Sequence, residues 1–94
     1  MATFLMFGQY SEGSVKKISA KRTKEALALV KQSGGKVKDG YAMLGEQDLL
    51  LILEAKDNQT AMQISVGLSK LLGIAFTTAP AFSMEEFDKL TKNV

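Results

Sequence analysis

Residues 48–55, with the sequence DLLLILEA, form the most hydrophobic stretch of this 94-residue chain and decide its fold. Five consecutive aliphatic residues between acidic ends are typical of a buried β-strand. Because neighbouring side chains of a strand point to opposite faces, the leucines at positions 49, 51 and 53 face one side of the sheet, and Leu50 and Ile52 face the other. Both faces of the sheet must therefore be covered at this strand.

A second strand with the same property lies near the N-terminus. The run Phe4-Leu5-Met6-Phe7 falls within a predicted strand over Thr3–Gln9, so apolar side chains again point to both faces. The other two predicted strands contain charged residues or Pro80, which are typical of sheet edges. We therefore expect the first and third strands to lie at the centre of the sheet.

Capping residues and glycines separate the predicted elements. Ser19 and Asp57 are predicted N-caps of two long helices, Gly34 and Gly73 follow their ends, and Ser83 starts a capping box before a last helix. The predicted elements are strand 3–9, helix 20–33, strand 36–44, strand 48–55, helix 57–72, strand 74–79 and a helix that begins after residue 83.

This order of elements predicts a single α+β domain over residues 1–94. Two right-handed βα crossovers in so short a chain most simply give a ferredoxin-like βαββαβ fold. Its antiparallel sheet has the strand order 4-1-3-2, with both long helices on one face and a C-terminal helix added.

The second face of the sheet then needs a cover. Leaving four large apolar side chains of the central strands in water would forgo about 6–12 kcal/mol of burial free energy. A second copy of the chain, packed sheet to sheet, is the cover that we expect, so the sequence predicts a homodimer. The alternative is the last helix, folded across that face with Phe87 and Leu90 directed inward.

Composition argues against several functional classes. The chain has no cysteine and no histidine, which removes thiolate chemistry, the commonest general base and most metal sites, so we expect no metal or cofactor and favour a non-catalytic role. Eight of the twelve basic residues lie between Lys16 and Lys38, but without interleaved aromatic residues, so the pattern indicates a solvated face rather than a nucleic-acid site. No apolar run is long enough for a signal peptide or membrane span, and we expect a cytoplasmic protein.

The segments Gly34-Gly35-Lys36, Gly45-Glu46-Gln47-Asp48 and Glu54-Ala55, in their places around the second and third strands, resemble the GYD-domain family. The family signature is glycine, any residue, tyrosine and aspartate, and Gly45 and Asp48 match it, whereas Gln47 occupies the tyrosine position. The resemblance implies the dimeric α/β-barrel class of ferredoxin-like proteins, but it implies no specific activity. It agrees with the homodimer inferred from the apolar strands.

Five polar residues are candidate ligand-binding residues. Asp48 opens a buried strand, so its carboxylate must reach solvent, bond turn amides or pair with a cation, for which Arg22 or Lys21 are candidates. Tyr10 and Tyr41 bring hydroxyl groups to strand ends at which a barrel would open. The full set is Gln9, Tyr10, Arg22, Tyr41 and Asp48.

Three functions remain open at this point. The first is a homodimer that binds a small organic ligand between sheet and helices or in the barrel. The second is a cofactor-free oxygenase or isomerase that uses Asp48 or Tyr41, and the third is a module for assembly into larger homo-oligomers.

Overall fold

A computed structural model describes all 94 residues as one four-stranded antiparallel sheet with helices. The strand order is β2-β3-β1-β4, which is the predicted order 4-1-3-2 read from the other edge. The expected ferredoxin-like α+β class is therefore confirmed. The elements are β1 (Ala2–Tyr10), α1 (Glu12–Val15), α2 (Ala20–Gln32), β2 (Lys36–Ala42), β3 (Leu49–Ala55), α3 (Asn58–Leu72), β4 (Ile74–Ala81) and α4 (Met84–Leu90).

The two central strands are β1 and β3, as the apolar runs predict. On one face, Phe4 lies opposite Leu53 and Met6 opposite Leu51. These positions share the main core with residues of α2 and α3, because both long helices pack on this face. The core consists of Phe4, Met6, Val30, Leu53, Ala55, Ala61, Ile64, Leu68, Leu72 and Ile74.

The opposite face of the sheet, which we call the open face, carries the other half of each apolar run. Leu5 lies opposite Ile52, and Phe7 lies opposite Leu50. All four side chains remain partly exposed, whereas Phe4, Met6 and Leu53 on the helix-covered face are buried. The apolar side chains of the open face are therefore not fully covered by this chain alone.

The last helix does not cover the open face. None of the residues of α4 is buried, and Phe87 and Leu90 are 48% and 61% exposed. The expectation that these two side chains face inward is wrong. The capping box itself is present, since Ser83 and Glu86 bond each other's main-chain amides, so local sequence starts this helix correctly without giving it a surface to pack on.

Smaller differences have local causes. The strand β4 continues through Pro80 to Ala81, because β4 is an edge strand and loses no ladder hydrogen bond on its open side. A β-bulge between Val37 and Asp39 interrupts the pairing of the other edge strand. No helix of the chain is long and apolar enough to cross a membrane.

Candidate functional site

A cavity of about 120 Å³ lies between α2 and the helix-covered face of the sheet. It exists because the two long helices pack differently: α3 buries five residues, whereas α2 buries only Val30. Gly67 of α3 lets Leu29 of α2 approach closely, since an added Cβ would lie 3.3 Å from Leu29 Cδ2. The helix α2 thus leans on α3 and leaves a gap over the strands.

The walls of the cavity are mainly apolar. Eleven of its sixteen lining residues are hydrophobic, and they come from α2, α3, all four strands and the segment before α2. Ala26 and Leu27 of α2 form part of one wall, and Leu49 and Leu51 of β3 form part of the floor. Such a lining offers an apolar molecule contacts similar to those of a protein core.

The polar groups at the cavity carry hydroxyl groups or positive charge. Lys17 and Arg22 supply two cations, and no aspartate or glutamate lines the cavity. The single ion pair of the structure joins Lys89 and Glu85 on α4, so neither cavity cation has a carboxylate partner within the chain. The remaining polar lining residues are Ser14, Ser19 and Thr23, and Tyr10, which is one of the eleven hydrophobic residues, adds a phenol hydroxyl group.

Arg22 binds the C-terminal end of α3 and keeps N–H groups that no acceptor uses. Its Nη2 donates to the carbonyl oxygens of Leu71 and Leu72, the last two residues of α3. The positive charge of Arg22 is also stabilised there by the negative end of the helix dipole. Its Nε is buried and has no hydrogen-bond partner. An unpaired buried donor is unusual, so it marks a place where an acceptor fits.

Asp48 holds the turn before β3 against the end of β1. Its Oδ2 accepts a hydrogen bond of 2.9 Å from the main-chain N–H of Tyr10, and its own N–H donates to the Gly8 carbonyl at 2.9 Å. Gly45, at the start of the same turn, has φ +116°, a backbone conformation that favours glycine. Both matching residues of the family signature thus have a clear conformational role.

The cation partners expected for Asp48 are absent. No ion pair joins it to Arg22 or Lys21, and Arg22 instead bonds the end of α3. The carboxylate satisfies another alternative of the sequence analysis, a bond to main-chain amide.

Gln9 and Tyr41 lie away from the cavity. Gln9 Nε2 donates to the Glu46 carbonyl at 3.0 Å and so adds a second bond between β1 and the turn. The Tyr41 hydroxyl group donates to Asp39 Oδ2 at 3.2 Å on the exposed edge strand β2. This hydrogen bond and the nearby negative charge raise the pKa of Tyr41 above its ordinary value of 10.0, so the phenol stays protonated near neutral pH.

Only some of the predicted ligand-binding residues lie at the cavity. Tyr10 and Arg22 line the cavity, Asp48 and Gln9 fix the chain around Tyr10, and Tyr41 lies elsewhere. Sequence reasoning missed Ser14 and Lys17, which reach the cavity from the segment between β1 and α2. A detectable signal was the pair Ser11 and Ser14, which forms a capping box that fixes this segment.

The chain also lacks a cluster of three or more carboxylate, histidine or cysteine side chains that could hold a metal ion.

Comparisons with known proteins agree with the fold. The family model described as GYD domain matches residues 4–91, which confirms the resemblance seen in the sequence. Among solved structures, the chain is similar to the leucine response regulatory protein LrpA of Mycobacterium tuberculosis, with a TM-score of 0.58 and 7% sequence identity. The match covers 87% of this chain and 51% of that chain, so this chain spans about half the length of the regulator, and the likeness concerns the fold alone. A comparison with curated proteins found no match.

Proposed function

We propose that this chain, which belongs to the GYD domain family, functions as a homodimer that binds a small organic molecule beneath α2. The observation that carries the proposal is the cavity of about 120 Å³, whose walls are mainly apolar and which opens beside polar groups. Binding sites for small molecules generally combine an apolar pocket with a few polar groups that fix orientation.

The size of the cavity limits the ligand. Drug-sized ligands occupy pockets of roughly 300–1,000 Å³, whereas an engineered cavity of about 150 Å³ accepts benzene. A cavity of about 120 Å³ is slightly smaller than that, so it limits the enclosed part of a ligand to at most a single small ring or a short branched chain.

The open face supports the dimer. Its centre is formed by the cross-strand pairs Leu5–Ile52 and Phe7–Leu50, and charged or polar residues surround this centre. An apolar centre with a polar rim is the usual anatomy of a protein interface. The surrounding residues include Gln9, Lys36, Asp39, Glu54 and Thr77.

The helix α4 adds to the surface available to a second copy. It directly follows the edge strand β4, and its apolar residues Met84, Phe87 and Leu90 are all exposed. A second copy that pairs with the open face would offer these side chains a surface to pack on, which this chain alone does not.

Catalysis is not part of the proposal. The enzyme hypothesis depends on Asp48 and Tyr41, and neither residue lines the cavity. Assembly beyond a dimer has no specific support either, since the bulge and the charged residues Lys36, Lys38 and Asp39 of β2 disfavour pairing of that edge with another strand.

Thermal unfolding with neutral probes tests the cavity. Toluene and benzyl alcohol should raise the melting temperature, by roughly 4–8 °C for each kcal/mol of binding free energy. Ala26→Phe places a ring in the cavity and should remove the effect. Ala28→Phe is the matched control, because Ala28 is exposed on the same helix and does not line the cavity.

Two results would count against this site. An unchanged melting temperature of the natural chain with both probes argues that the cavity does not bind small organics. A shift that survives in Ala26→Phe places the binding elsewhere on the molecule.

A further inference from the structure

We propose that the cavity selects a small organic acid, with the apolar body against the walls and the carboxylate on Arg22 and Lys17. This inference rests on the proposed function, since it names the chemical class of the molecule bound in the same cavity. It goes further by assigning a recognition role to two residues.

The cavity carries positive charge without a negative counterpart. Both titratable cations that line the cavity lack an acidic partner, and no carboxylate lines the cavity to compete for them. The partly buried Arg22 lies beside apolar walls and interacts with an anion more strongly than a cation surrounded by water, because the local dielectric constant is lower, and the exposed Lys17 adds positive charge at the same cavity. An anionic group is therefore favoured over a neutral or cationic one.

The guanidinium group of Arg22 is held in place by the end of α3. The carbonyl oxygens of Leu71 and Leu72 fix the position of the guanidinium group through Nη2, so the group is already ordered before a ligand arrives. The buried Nε still lacks an acceptor, and no hydrogen bond uses Nη1. An arginine held in this way loses little conformational freedom when it binds a carboxylate.

Hydroxyl groups complete the polar side of the cavity. Ser14 is buried, and Ser19 and Thr23 line the cavity on the first turn of α2, close in sequence to Arg22. The Ser14 hydroxyl already donates to the Ser11 carbonyl, and Thr23 donates to the Ser19 carbonyl. The hydroxyl groups of Ser14 and Thr23 are therefore already used as donors, whereas Arg22 and Lys17 hold donors that no bond within the chain uses.

Titration of the full-length chain with benzoate and benzamide tests the inference, because the two probes have nearly the same shape and differ in charge. Benzoate should bind about tenfold to a hundredfold more tightly than benzamide, the range expected for hydrogen bonds to a charged group. Calorimetry measures the affinities, and the Arg22 Nε–H resonance in NMR spectra should shift with benzoate.

Variants identify the residues. Lys17→Gln and Arg22→Gln should each reduce the preference for benzoate over benzamide, whereas Lys24→Gln, an exposed control on α2, should leave it unchanged. Since Arg22 also caps α3, Arg22→Gln could unfold the chain. Lys17 is exposed and carries no such bond, so Lys17→Gln tests the charge independently.

The outcomes separate the two proposals. Equal affinity for benzoate and benzamide overturns the selection of acids but leaves a cavity that binds organics. Absence of binding by either probe at ~10 mM, a concentration at which fragment-sized ligands normally bind, overturns both. A preference for benzoate that persists in both Lys17→Gln and Arg22→Gln overturns the assignment of these two residues, because other groups then bind the carboxylate.

Discussion

The carboxylate of Asp48 accepts a hydrogen bond of 2.9 Å from the main-chain N–H of Tyr10. This bond joins residues 38 positions apart and ties the β2–β3 turn to the end of β1. Tyr10 lines the cavity, so the family signature and the candidate site are in physical contact. The aspartate thus acts through the backbone rather than as an exposed reactive group.

Removal of this bond should destabilise the fold. Asp48→Ala leaves the partly buried N–H of Tyr10 without an acceptor, and the free energy of unfolding should fall by about 1–3 kcal/mol. Asp48→Asn retains an oxygen acceptor and should cost less. Urea denaturation measures both, with Asp88→Ala on the exposed helix α4 as the control, because Asp88 makes no side-chain hydrogen bond or ion pair. Equal stabilities of Asp48→Ala and Asp88→Ala would contradict this role.

Much of the fold could be predicted because its signals are local. The caps Ser19, Asp57 and Ser83 were each identified from sequence, and each accepts the expected main-chain hydrogen bond. The continuous apolar runs of β1 and β3 placed these strands at the centre. The direction of Phe87 and Leu90 was missed, since a capping box starts a helix but does not determine what the helix packs against.

The cavity could be predicted only in part. The position of Tyr10 at a strand end predicts a hydroxyl group at the site, and Tyr10 lines the cavity; Arg22 lines it too, but it does not pair with Asp48 as the sequence predicts. The bond from Arg22 to the end of α3 spans 50 positions, and it depends on how two helices pack, which periodicity does not give. The sequence does not single out Lys17 within its cluster of basic residues, because a charge pattern does not tell which lysine lies beside an apolar wall.

A charge at the centre of the open face should prevent the dimer. Ile52→Glu places a carboxylate opposite Leu5, and burial of that charge against a second sheet should raise the dimer dissociation constant by about a hundredfold or more. Met62→Glu is the control, because Met62 is an exposed apolar residue on α3. Native mass spectrometry should give twice 10.2 kDa for the natural chain and the control. A monomeric natural chain at micromolar concentration would refute the sheet pairing.

Polar substitutions on α4 should weaken the dimer without unfolding the protomer. Phe87 and Leu90 are 48% and 61% exposed within the chain, so Phe87→Ser and Leu90→Ser should change the urea midpoint of a monomeric Ile52→Glu background only slightly. In the natural background, each should raise the dissociation constant by about tenfold to a hundredfold, if the side chain is buried by the partner. Asp88→Ser is the control on the same helix. Loss of stability in the monomeric background would show instead that α4 packs on its own protomer.

Stability at acidic pH should depend on Asp57. Its carboxylate accepts a hydrogen bond of 2.8 Å from the Thr60 N–H at the start of α3, and this bond lowers the pKa of Asp57 below its ordinary value of 3.8. A group with a lowered pKa in the folded state contributes stability above its unfolded pKa, and this contribution is lost as the pH falls through the folded pKa. Asp57→Asn keeps a capping oxygen but removes the titration, so its urea midpoint should fall less than that of the natural chain between about pH 5 and pH 2. Exposed Asp88, mutated to Asn, is the control, and identical acid profiles for Asp57→Asn and the natural chain would contradict the linkage.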